Sequence, residues 1–379
     1  MATAAVAFRR TALYNFHVAR GAKMVPFAGW EMPLQYKESI IGSHLHTREK
    51  AGLFDVSHML GVRFSGEDRV EFIESMCCVD VKNLPASMGA LSVLTNEAGG
   101  VIDDMIVTNR GDDIYTVINA GHEDKDLPHF AKYLKAFTAG GKDVKMESLA
   151  DNSLLALQGP KAVDVMAKLC NTDFAAMKFM QGLPMKVAGV DCFVTRSGYT
   201  GEDGFELAFA KEHSEGLAEE LCKDSDVMCI GLGARDSLRL EAGLCLYGND
   251  LDDTTTPVEA NLLFVIAKAR REDPNGFVGS KVILDQLKNK SATRKRIGLI
   301  VEGAPARSGA EVFDADGKHI GVITSGVHSP CLKKNVSMAY IATPFAKVGT
   351  EVGVKVRGKM STAVVSKMPF VPSNYYRGA

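Results

Sequence analysis

The spacing of apolar positions between residues 60 and 150 predicts a self-contained α+β unit. Short apolar runs alternate with turns rich in Gly, Asn and Asp, which is typical of an antiparallel meander. The predicted strands cover residues 62–64, 91–94, 101–109 and 114–119, and the predicted helices cover 67–78 and 124–137.

Residues 151–270 carry the pattern of a second α+β unit. Strands are predicted at 154–158, 192–196 and 205–209, with helices at 161–170 and from 231 through about 247. The last two strands are joined by a loop, residues 198–204, in which three of the seven residues are glycine. Because side chains alternate along a strand, Glu206 points away from the apolar face that contains Phe205 and Leu207. A carboxylate is therefore presented beside a tight loop.

Residues 295–370 predict a small all-β domain, barrel or jelly-roll-like, because short strands alternate there with Gly-rich turns. The chain then ends with Asn374-Tyr375-Tyr376 and three further residues. Free termini are usually polar, so two adjacent tyrosines predict a docked tail. The expected fold class is α+β, with two α+β domains that have antiparallel sheets and a C-terminal β domain.

The strand predicted at 101–109 carries two adjacent carboxylates, Asp103 and Asp104, although Asp is depleted from strands. Neighbouring side chains of a strand point to opposite faces, so Asp104 shares a face with Ile106 and Asp103 shares the other with Met105. Since both faces are apolar, we expect at least one carboxylate at the wall of a covered cavity. The alternative from the spacing alone is that both residues cap turns near a strand end.

Charge and composition narrow the function classes. The 379 residues have a formal net charge of −2, which provides no field to gather nucleic acid or an acidic membrane, and no apolar stretch is long enough for a transmembrane helix. Eight cysteines without a Cys-x-x-Cys pair predict reduced thiols, and we expect no metal. The segment from Met1 to Trp30 has four Arg or Lys residues and no acidic one, which is typical of a mitochondrial transit peptide.

Several catalytic motifs are missing from the sequence, namely Gly-x-Ser-x-Gly, the Walker phosphate loop, His-Glu-x-x-His and the EF-hand loop. Gly231-x-Gly233 lacks the third glycine of a dinucleotide fingerprint, so we expect neither nicotinamide nor flavin. Arg235 and Arg239 lie four apart on the predicted helix, and an acidic neighbour or an acidic ligand can compensate the repulsion of this like-charge pair.

Six segments are long enough to be distinctive: residues 23–33 (KMVPFAGWEMP), 54–59 (FDVSHM), 95–104 (TNEAGGVIDD), 198–206 (GYTGEDGFE), 233–242 (GARDSLRLEA) and 324–326 (TSG). Together they resemble the aminomethyltransferase family, the T-proteins of the glycine cleavage system. The resemblance covers about residues 10–376, and the tail at 369–376 resembles the mitochondrial, eukaryotic branch.

The resemblance implies a mitochondrial matrix enzyme with a three-domain cloverleaf fold and folate in a central cavity. Family members accept the aminomethyl group from the lipoyl arm of H-protein, release ammonia and pass the methylene to tetrahydrofolate, which gives 5,10-methylenetetrahydrofolate. Tetrahydrofolate is thus the implied co-substrate. H-protein is the implied partner, with the other glycine cleavage components more loosely, and no nucleic acid or membrane is implied. The expected domains are 1–58 with 151–275, 59–150, and 285–379.

The resemblance also assigns residues. The family's critical carboxylate falls on Asp104, which leaves Asp103 as a structural residue. The matched binding positions are Glu206 for the pterin, Arg235, the tail residue Tyr375, and Tyr199 and Asn119 as further folate contacts, with Met59 either lining the pocket or packing in the core.

The chemistry of folate suits these residue types. The 2-amino-4-oxo edge of a pterin offers two parallel N–H donors, for which a carboxylate such as Glu206 is the geometric complement. A carboxylate such as Asp104 near N10 can orient the ring and stabilise an iminium-like cation. Burial would raise the pKa of Asp104 and a cationic intermediate would lower it, and the sequence leaves the balance open.

Two other classes remain as alternatives. One is a non-catalytic folate-binding accessory protein of the same fold, but the Lys-Gly-Cys-Tyr-x-Gly-Gln motif of that relative is missing here. The other is the folate half of a sarcosine or dimethylglycine oxidoreductase, which requires a fused flavin domain. The sequence therefore favours the transferase.

Overall fold

The structure is a computed structural model that describes residues 8–378. The first seven residues of the predicted transit peptide lie outside this range. The described helices, in chain order, are α1 (Tyr14–Ala19), α2 (Ile40–Glu49), α3 (Arg69–Met76), α4 (Glu123–Ala139), α5 (Ala162–Cys170), α6 (Ser214–Cys222), α7 (Leu232–Glu241) and α8 (Ser280–Asn289). No helix in the described range is both long enough and apolar enough to span a membrane.

The first ten strands are β1 (Arg9–Arg10), β2 (Lys23–Phe27), β3 (Trp30–Gln35), β4 (Ala51–Asp55), β5 (Leu60–Ser65), β6 (Gly89–Thr95), β7 (Val101–Asn109), β8 (Ile114–Ile118), β9 (Lys145–Ser148) and β10 (Asn152–Gln158). The remaining strands are β11 (Gly182–Val187), β12 (Val190–Thr195), β13 (Gly204–Ala210), β14 (Val227–Cys229), β15 (Arg294–Val301), β16 (Glu311–Phe313), β17 (His319–Ser329), β18 (Lys334–Ala342), β19 (Glu351–Val356) and β20 (Lys359–Ser366).

The chain falls into two compact units. Unit 1 contains the residues up to Gly61, Leu149–Asp236 and the tail from Asn374, and unit 2 contains Val62–Ser148 and Ser237–Ser373. The three-domain division predicted from the sequence stays a prediction.

Unit 1 is built on a six-stranded sheet with the order β11-β12-β13-β10-β4-β14. The neighbours are antiparallel except for β14 and β4, which are parallel. The apolar side chains of α1, α5 and α6 pack with one face of this sheet, for example Phe16, Met166 and Leu217 with Leu157 and Leu207. In the register of the sheet, Glu206 lies opposite Ala156 on β10 and Thr195 on β12. The predicted strand at 205–209 is confirmed.

The C-terminal tail is docked in unit 1, as the sequence predicts. The backbone N–H of Asn374 donates to the Gly201 carbonyl at 2.7 Å. The ring of Tyr375 stacks on Phe179 with centroids 4.4 Å apart. Tyr376 lies under the guanidinium of Arg196 at 3.9 Å, and its hydroxyl donates to the Ala175 carbonyl at 2.8 Å.

Unit 2 contains a five-stranded sheet with the order β6-β7-β8-β5-β9. Strands β6, β7 and β8 are sequential and antiparallel, so the predicted meander is confirmed. The turn before β7 requires glycine. Gly99 has φ +82°, and a Cβ at Gly100 would collide with the backbone oxygen of Asp253.

The C-terminal strands of unit 2 close into a barrel with the order β15-β18-β17-β16-β19-β20. This confirms the predicted all-β region and selects the barrel. Its core is made of small and branched apolar side chains, among them Leu299, Val312, Ala339 and Val354.

Helix α7 is shorter than predicted. The sequence predicts a helix from 231 through about 247, and this C-terminal limit is wrong, because α7 ends at Glu241. Gly243 has φ +73°, and a Cβ there would come within 3.1 Å of Met368. Near the end of α7, Arg239 donates to Asp250 at 2.6 Å and to Ser325 at 2.8 Å. Within unit 2, the acidic compensation expected for Arg239 is therefore Asp250.

Candidate functional site

Strand β7 carries the two adjacent carboxylates of unit 2 on opposite faces, as predicted. The buried positions of β7 include Val101, Asp103 and Met105, and Asp103 is 0% exposed. Asp104 lies on the partly exposed face with Ile106. The faces are set by the strand alone, since successive side chains alternate.

Asn119, which directly follows β8, holds both carboxylates. Its side-chain nitrogen donates to Oδ1 of Asp103 at 3.0 Å, to the backbone oxygen of Asp104 at 2.9 Å and to Oδ1 of Asp104 at 3.1 Å. Its backbone N–H also donates to Oδ2 of Asp103 at 3.0 Å. We call this arrangement of Asp103 and Asn119 the clamp on Asp104.

The protonation of Asp104 is balanced near neutrality. Burial raises the pKa of Asp104 to about 7, and the charge of the adjacent Asp103 acts in the same direction. The hydrogen bond from Asn119 opposes this rise, because it favours the charged form. Both the acid and the carboxylate are therefore available at neutral pH.

A third carboxyl group, Asp126, which the sequence analysis did not single out, is near enough to Asp103 for their charges to interact. Asp126 is in the first turn of α4 and is 0% exposed. The ring of His122, at the N-terminal cap of α4, comes within 3.7 Å of Oδ1 of Asp103. One sequence signal could have located Asp126: it lies four residues before Phe130, which is on the buried face of the same helix.

In unit 1, Glu206 on β13 is oriented by a neighbouring hydroxyl. Ser197 donates to Oε2 of Glu206 at 3.0 Å. Burial raises the pKa of Glu206, while the positive charge of Arg235 and the Ser197 hydrogen bond oppose the rise. The carboxylate and the guanidinium thus act on each other, and burial lowers the pKa of Arg235.

Arg235, on the first turns of α7, lies over the ring of Tyr199 at 4.8 Å. Tyr199 belongs to the Gly-rich loop, residues 198–204. This loop passes close to Gln158, because a Cβ at Gly198 would collide with the Gln158 side chain, and Thr200 donates to that side chain at 3.0 Å. The structure therefore brings Glu206, Arg235 and Tyr199 together, and we call them the glutamate–arginine group.

The tail reaches the same loop. Burial raises the pKa of the Tyr375 hydroxyl, and the backbone of Gly201 opposes this rise. Asn374 donates to Glu202 at 2.9 Å, and Arg48 pairs with Glu202 at 2.8 Å. The loop is therefore held by three separate segments of unit 1.

His58 is a second residue that the sequence analysis did not assign, beyond its place in the motif at 54–59. Its side chain is buried, and its Nδ1 has no hydrogen-bond partner among the described residues. Burial lowers the pKa of His58 to about 4, and the charge of Arg235 adds to this. Met59 follows in the same turn and is partly buried, which fits both a pocket residue and a core residue.

The two groups have complementary chemical abilities. The glutamate–arginine group offers a carboxylate, a planar cation and an aromatic ring, which suits a flat heterocycle with parallel N–H donors and a carbonyl. The clamp on Asp104 holds a carboxyl group with a pKa of about 7, which suits proton transfer.

Comparisons with known proteins show the family to which the chain is similar. Residues 13–270 match the family model of the GCVT N-terminal domain, and residues 294–372 match that of the glycine cleavage T-protein C-terminal barrel domain. The chain is similar to the mitochondrial aminomethyltransferase of Dictyostelium discoideum, with 49% identity over 97% of this chain and 93% of the relative. For the mitochondrial aminomethyltransferase of Mus musculus, the identity is 50% over 97% and 91%.

A solved structure is also similar. The glycine cleavage system aminomethyltransferase T of Bartonella henselae superimposes with a TM-score of 0.92 and 41% sequence identity, over 98% of this chain and 100% of the other.

Proposed function

This chain belongs to the glycine cleavage T-protein family, and on that premise we propose the substrates and the residues with which it works. Its activity is that of an aminomethyltransferase of the glycine cleavage system, and the protein is mitochondrial. The proposed reaction takes the aminomethyl thioether on the lipoyl arm of H-protein and tetrahydrofolate. It yields ammonia, the free lipoyl thiol and 5,10-methylenetetrahydrofolate.

The atoms of this reaction balance. The carbon–sulfur and carbon–nitrogen bonds of the aminomethyl group break, and the methylene carbon bonds to N5 and N10 of the folate. Two folate N–H protons are lost, and two protons are gained, one by the thiol and one by the departing ammonia. No oxidant or reductant is consumed. The protein therefore has to bind the folate, move protons and stabilise a cationic one-carbon intermediate.

The single observation that carries the proposed catalytic residue is the clamped Asp104 with a pKa of about 7. In its ionised form, this carboxylate can accept the proton that a folate nitrogen loses when the new bond forms. A fixed negative charge also stabilises the cationic intermediate, because it is oriented before the reaction starts. Asn119 acts here through Asp104 as a positioning residue.

The glutamate–arginine group is the proposed binding site for the pterin. The Glu206 carboxylate pairs with the N–H donors of the pterin edge, and Ser197 keeps it oriented. The Arg235 guanidinium can donate to a carbonyl or stack on a ring. Tyr199 and Tyr375 are proposed as further contacts, since both are on or against the loop at 198–204, and Met59 is proposed as a pocket residue.

The function is tested with lipoylated H-protein that carries the aminomethyl group. We expect ammonia release to be fast only when both this enzyme and tetrahydrofolate are present, with 5,10-methylenetetrahydrofolate formed in equal amount. The matched control is H-protein with an unloaded lipoyl arm. Ammonia release without methylenetetrahydrofolate would contradict folate as the acceptor, and no release above the enzyme-free rate would contradict the reaction.

A further inference from the structure

Asp126 is a buried carboxyl group whose surroundings favour its protonated form. It lies in the first turn of α4, where its backbone N–H donates to the His122 carbonyl at 2.8 Å. Its side chain is 0% exposed, and neither carboxyl oxygen accepts a hydrogen bond from the described residues. A buried ionised carboxylate without donors is strongly disfavoured. The site therefore favours the neutral acid, which carries its own donor.

The partner of that donor is Asp103. The Asp126 N–H is bonded to the His122 carbonyl, and the His122 ring comes within 3.7 Å of Oδ1 of Asp103, so this turn of α4 lies beside Asp103. The charge of Asp103 also acts on Asp126. Two ionised carboxylates could not bond to each other, because neither has a proton. Asp103 already accepts the two N–H donors of Asn119. The shared proton is therefore placed on Asp126, which has no other donor. Burial, together with the charge of Asp103, raises the pKa of Asp126 to about 10.

We propose that Asp126 is a positioning residue that stays protonated at neutral pH and donates a hydrogen bond to Asp103, which fixes the clamp on Asp104. This inference rests on the proposed catalytic role of Asp104. In this pair, Asp126 on α4 is the hydrogen-bond donor and Asp103 on β7 is the acceptor. The hydrogen bond therefore joins the helix to the strand.

The charges around the pair explain why its protonation matters. The charges of Asp103 and Asp104, on opposite faces of β7, both act on Asp126, and so does the charge of Lys125 on α4 itself. The Lys125 ammonium donates to the Tyr247 hydroxyl at 2.8 Å. Asp250 adds a negative charge near Asp104.

The two histidines of this end of α4 add little positive charge. Burial lowers the pKa of His122 and also that of His129, so both favour the neutral imidazole. If Asp126 lost its proton, its charge would raise the pKa of Asp104 further, because like charges disfavour ionisation. A neutral Asp126 therefore keeps Asp104 able to ionise near neutrality.

The test compares three variants of the full-length enzyme. Asp126→Asn keeps a neutral donor, Asp126→Ala removes the donor, and Asp124→Asn, at an exposed position of the same helix turn, is the matched control. The first readout is the carboxyl carbon NMR of the enzyme labelled at aspartate, followed from about pH 6 to about pH 10. It requires no substrate.

We expect one carboxyl signal to remain protonated at about pH 8.5 in the wild type and in Asp124→Asn, and to be missing in Asp126→Asn. The second readout is kcat against pH. Asp126→Asn should keep the wild-type profile within about twofold, whereas Asp126→Ala should lower kcat roughly tenfold or shift the inflection of Asp104, because the clamp loses its support.

Two results would overturn the inference. One is an Asp126 signal that is already ionised at neutral pH, and the other is an Asp126→Ala variant with the wild-type pH profile. The proposed function fails separately, through an Asp104→Asn variant that stays active, and that result would leave the NMR signal of Asp126 unchanged. If Asp126→Ala does not fold, the NMR comparison of the wild type with Asp126→Asn still decides the protonation state.

Discussion

The side-chain nitrogen of Asn119 donates to both the backbone oxygen and the carboxyl group of Asp104, at 2.9 and 3.1 Å. The same nitrogen reaches Asp103 on the other face of β7. One amide therefore restrains two carboxyl groups that the strand itself points apart. The orientation and the pKa of Asp104 depend on this contact.

Replacing Asn119 with Ala should move the pH dependence of turnover. The lost hydrogen bond favoured the charged form of Asp104, so the pKa should rise above about 7, by about half a unit to one unit. The inflection of kcat against pH should move upward by the same amount, with lower activity at pH 7. The control is Asn289→Ala, an exposed residue on α8. An unchanged inflection would contradict a direct effect of Asn119 on Asp104.

Asp104→Asn should lower turnover by roughly a hundredfold or more, since it removes both proton transfer and the fixed negative charge. Tetrahydrofolate binding, measured by calorimetry, should be nearly unchanged. Asp112→Asn, which changes an exposed residue in the turn after β7, should keep wild-type kinetics. Glycine cleavage in the reconstituted system at a near-normal rate would remove Asp104 from the mechanism.

Glu206→Ala should act mainly on binding. We expect the free energy of tetrahydrofolate binding to weaken by a few kcal/mol, because the N–H donors of the pterin lose their charged acceptor. Calorimetry of the wild type, Glu206→Ala and the exposed control Glu212→Ala measures the difference. Equal affinities in all three proteins would show that the pterin binds elsewhere.

Asp126→Asn should make the protein more stable at alkaline pH. The pKa of Asp126 is raised in the folded state to about 10 from an ordinary value of 3.8. Between these values the folded state binds the extra proton, so its contribution to stability falls as pH rises. The amide does not titrate, and the variant should gain a few kcal/mol relative to the wild type between pH 5 and pH 8. Urea unfolding at both pH values, with Asp124→Asn as control, measures this gain. The same difference in unfolding free energy between Asp126→Asn and the wild type at pH 5 and pH 8 would contradict the prediction.

Tyr376→Ala should loosen the docked tail. It removes the contact with the Arg196 guanidinium and the hydrogen bond to Ala175, which together stabilise the protein by about 1–2 kcal/mol. Urea unfolding should show this loss, and Tyr376→Phe should show about half of it because the ring remains. Equal stability of all three proteins would mean that the tail contributes nothing to unit 1.

The local features of the fold were predictable from the sequence because they depend on neighbouring residues. The strand alternation that separates Asp103 from Asp104 needs only the backbone period, and the structure confirms it. The end of α7 was missed because the prediction followed helix periodicity and not Gly243, which has φ +73°. The Leu244 N–H donates there to the Arg239 carbonyl at 3.0 Å, as in a glycine helix stop. Helix periodicity contains no information about such a stop.

Some residues of the candidate site were also predictable from the sequence, and others were not. Asp104 and Glu206 are found from motifs that are continuous in sequence. Asp126 is not, because acidic residues in the first turn of a helix are usually solvated and favoured by the helix dipole. Its burial follows from the packing of α4 in unit 2, which brings the first turn of the helix beside Asp103.

The turn before β7 limits which amino acids the gene can encode at residue 100. The Val101 N–H donates to the Thr255 carbonyl at 2.9 Å, and the Asn96 side chain donates to the Asp253 carbonyl at 2.8 Å. Any side chain at Gly100 would push the strand away from this anchor, and Asp104 would be displaced with it. A saturation library at this codon, selected for growth on glycine catabolism, should return glycine almost alone, although the position is four residues from the proposed catalytic carboxylate, Asp104.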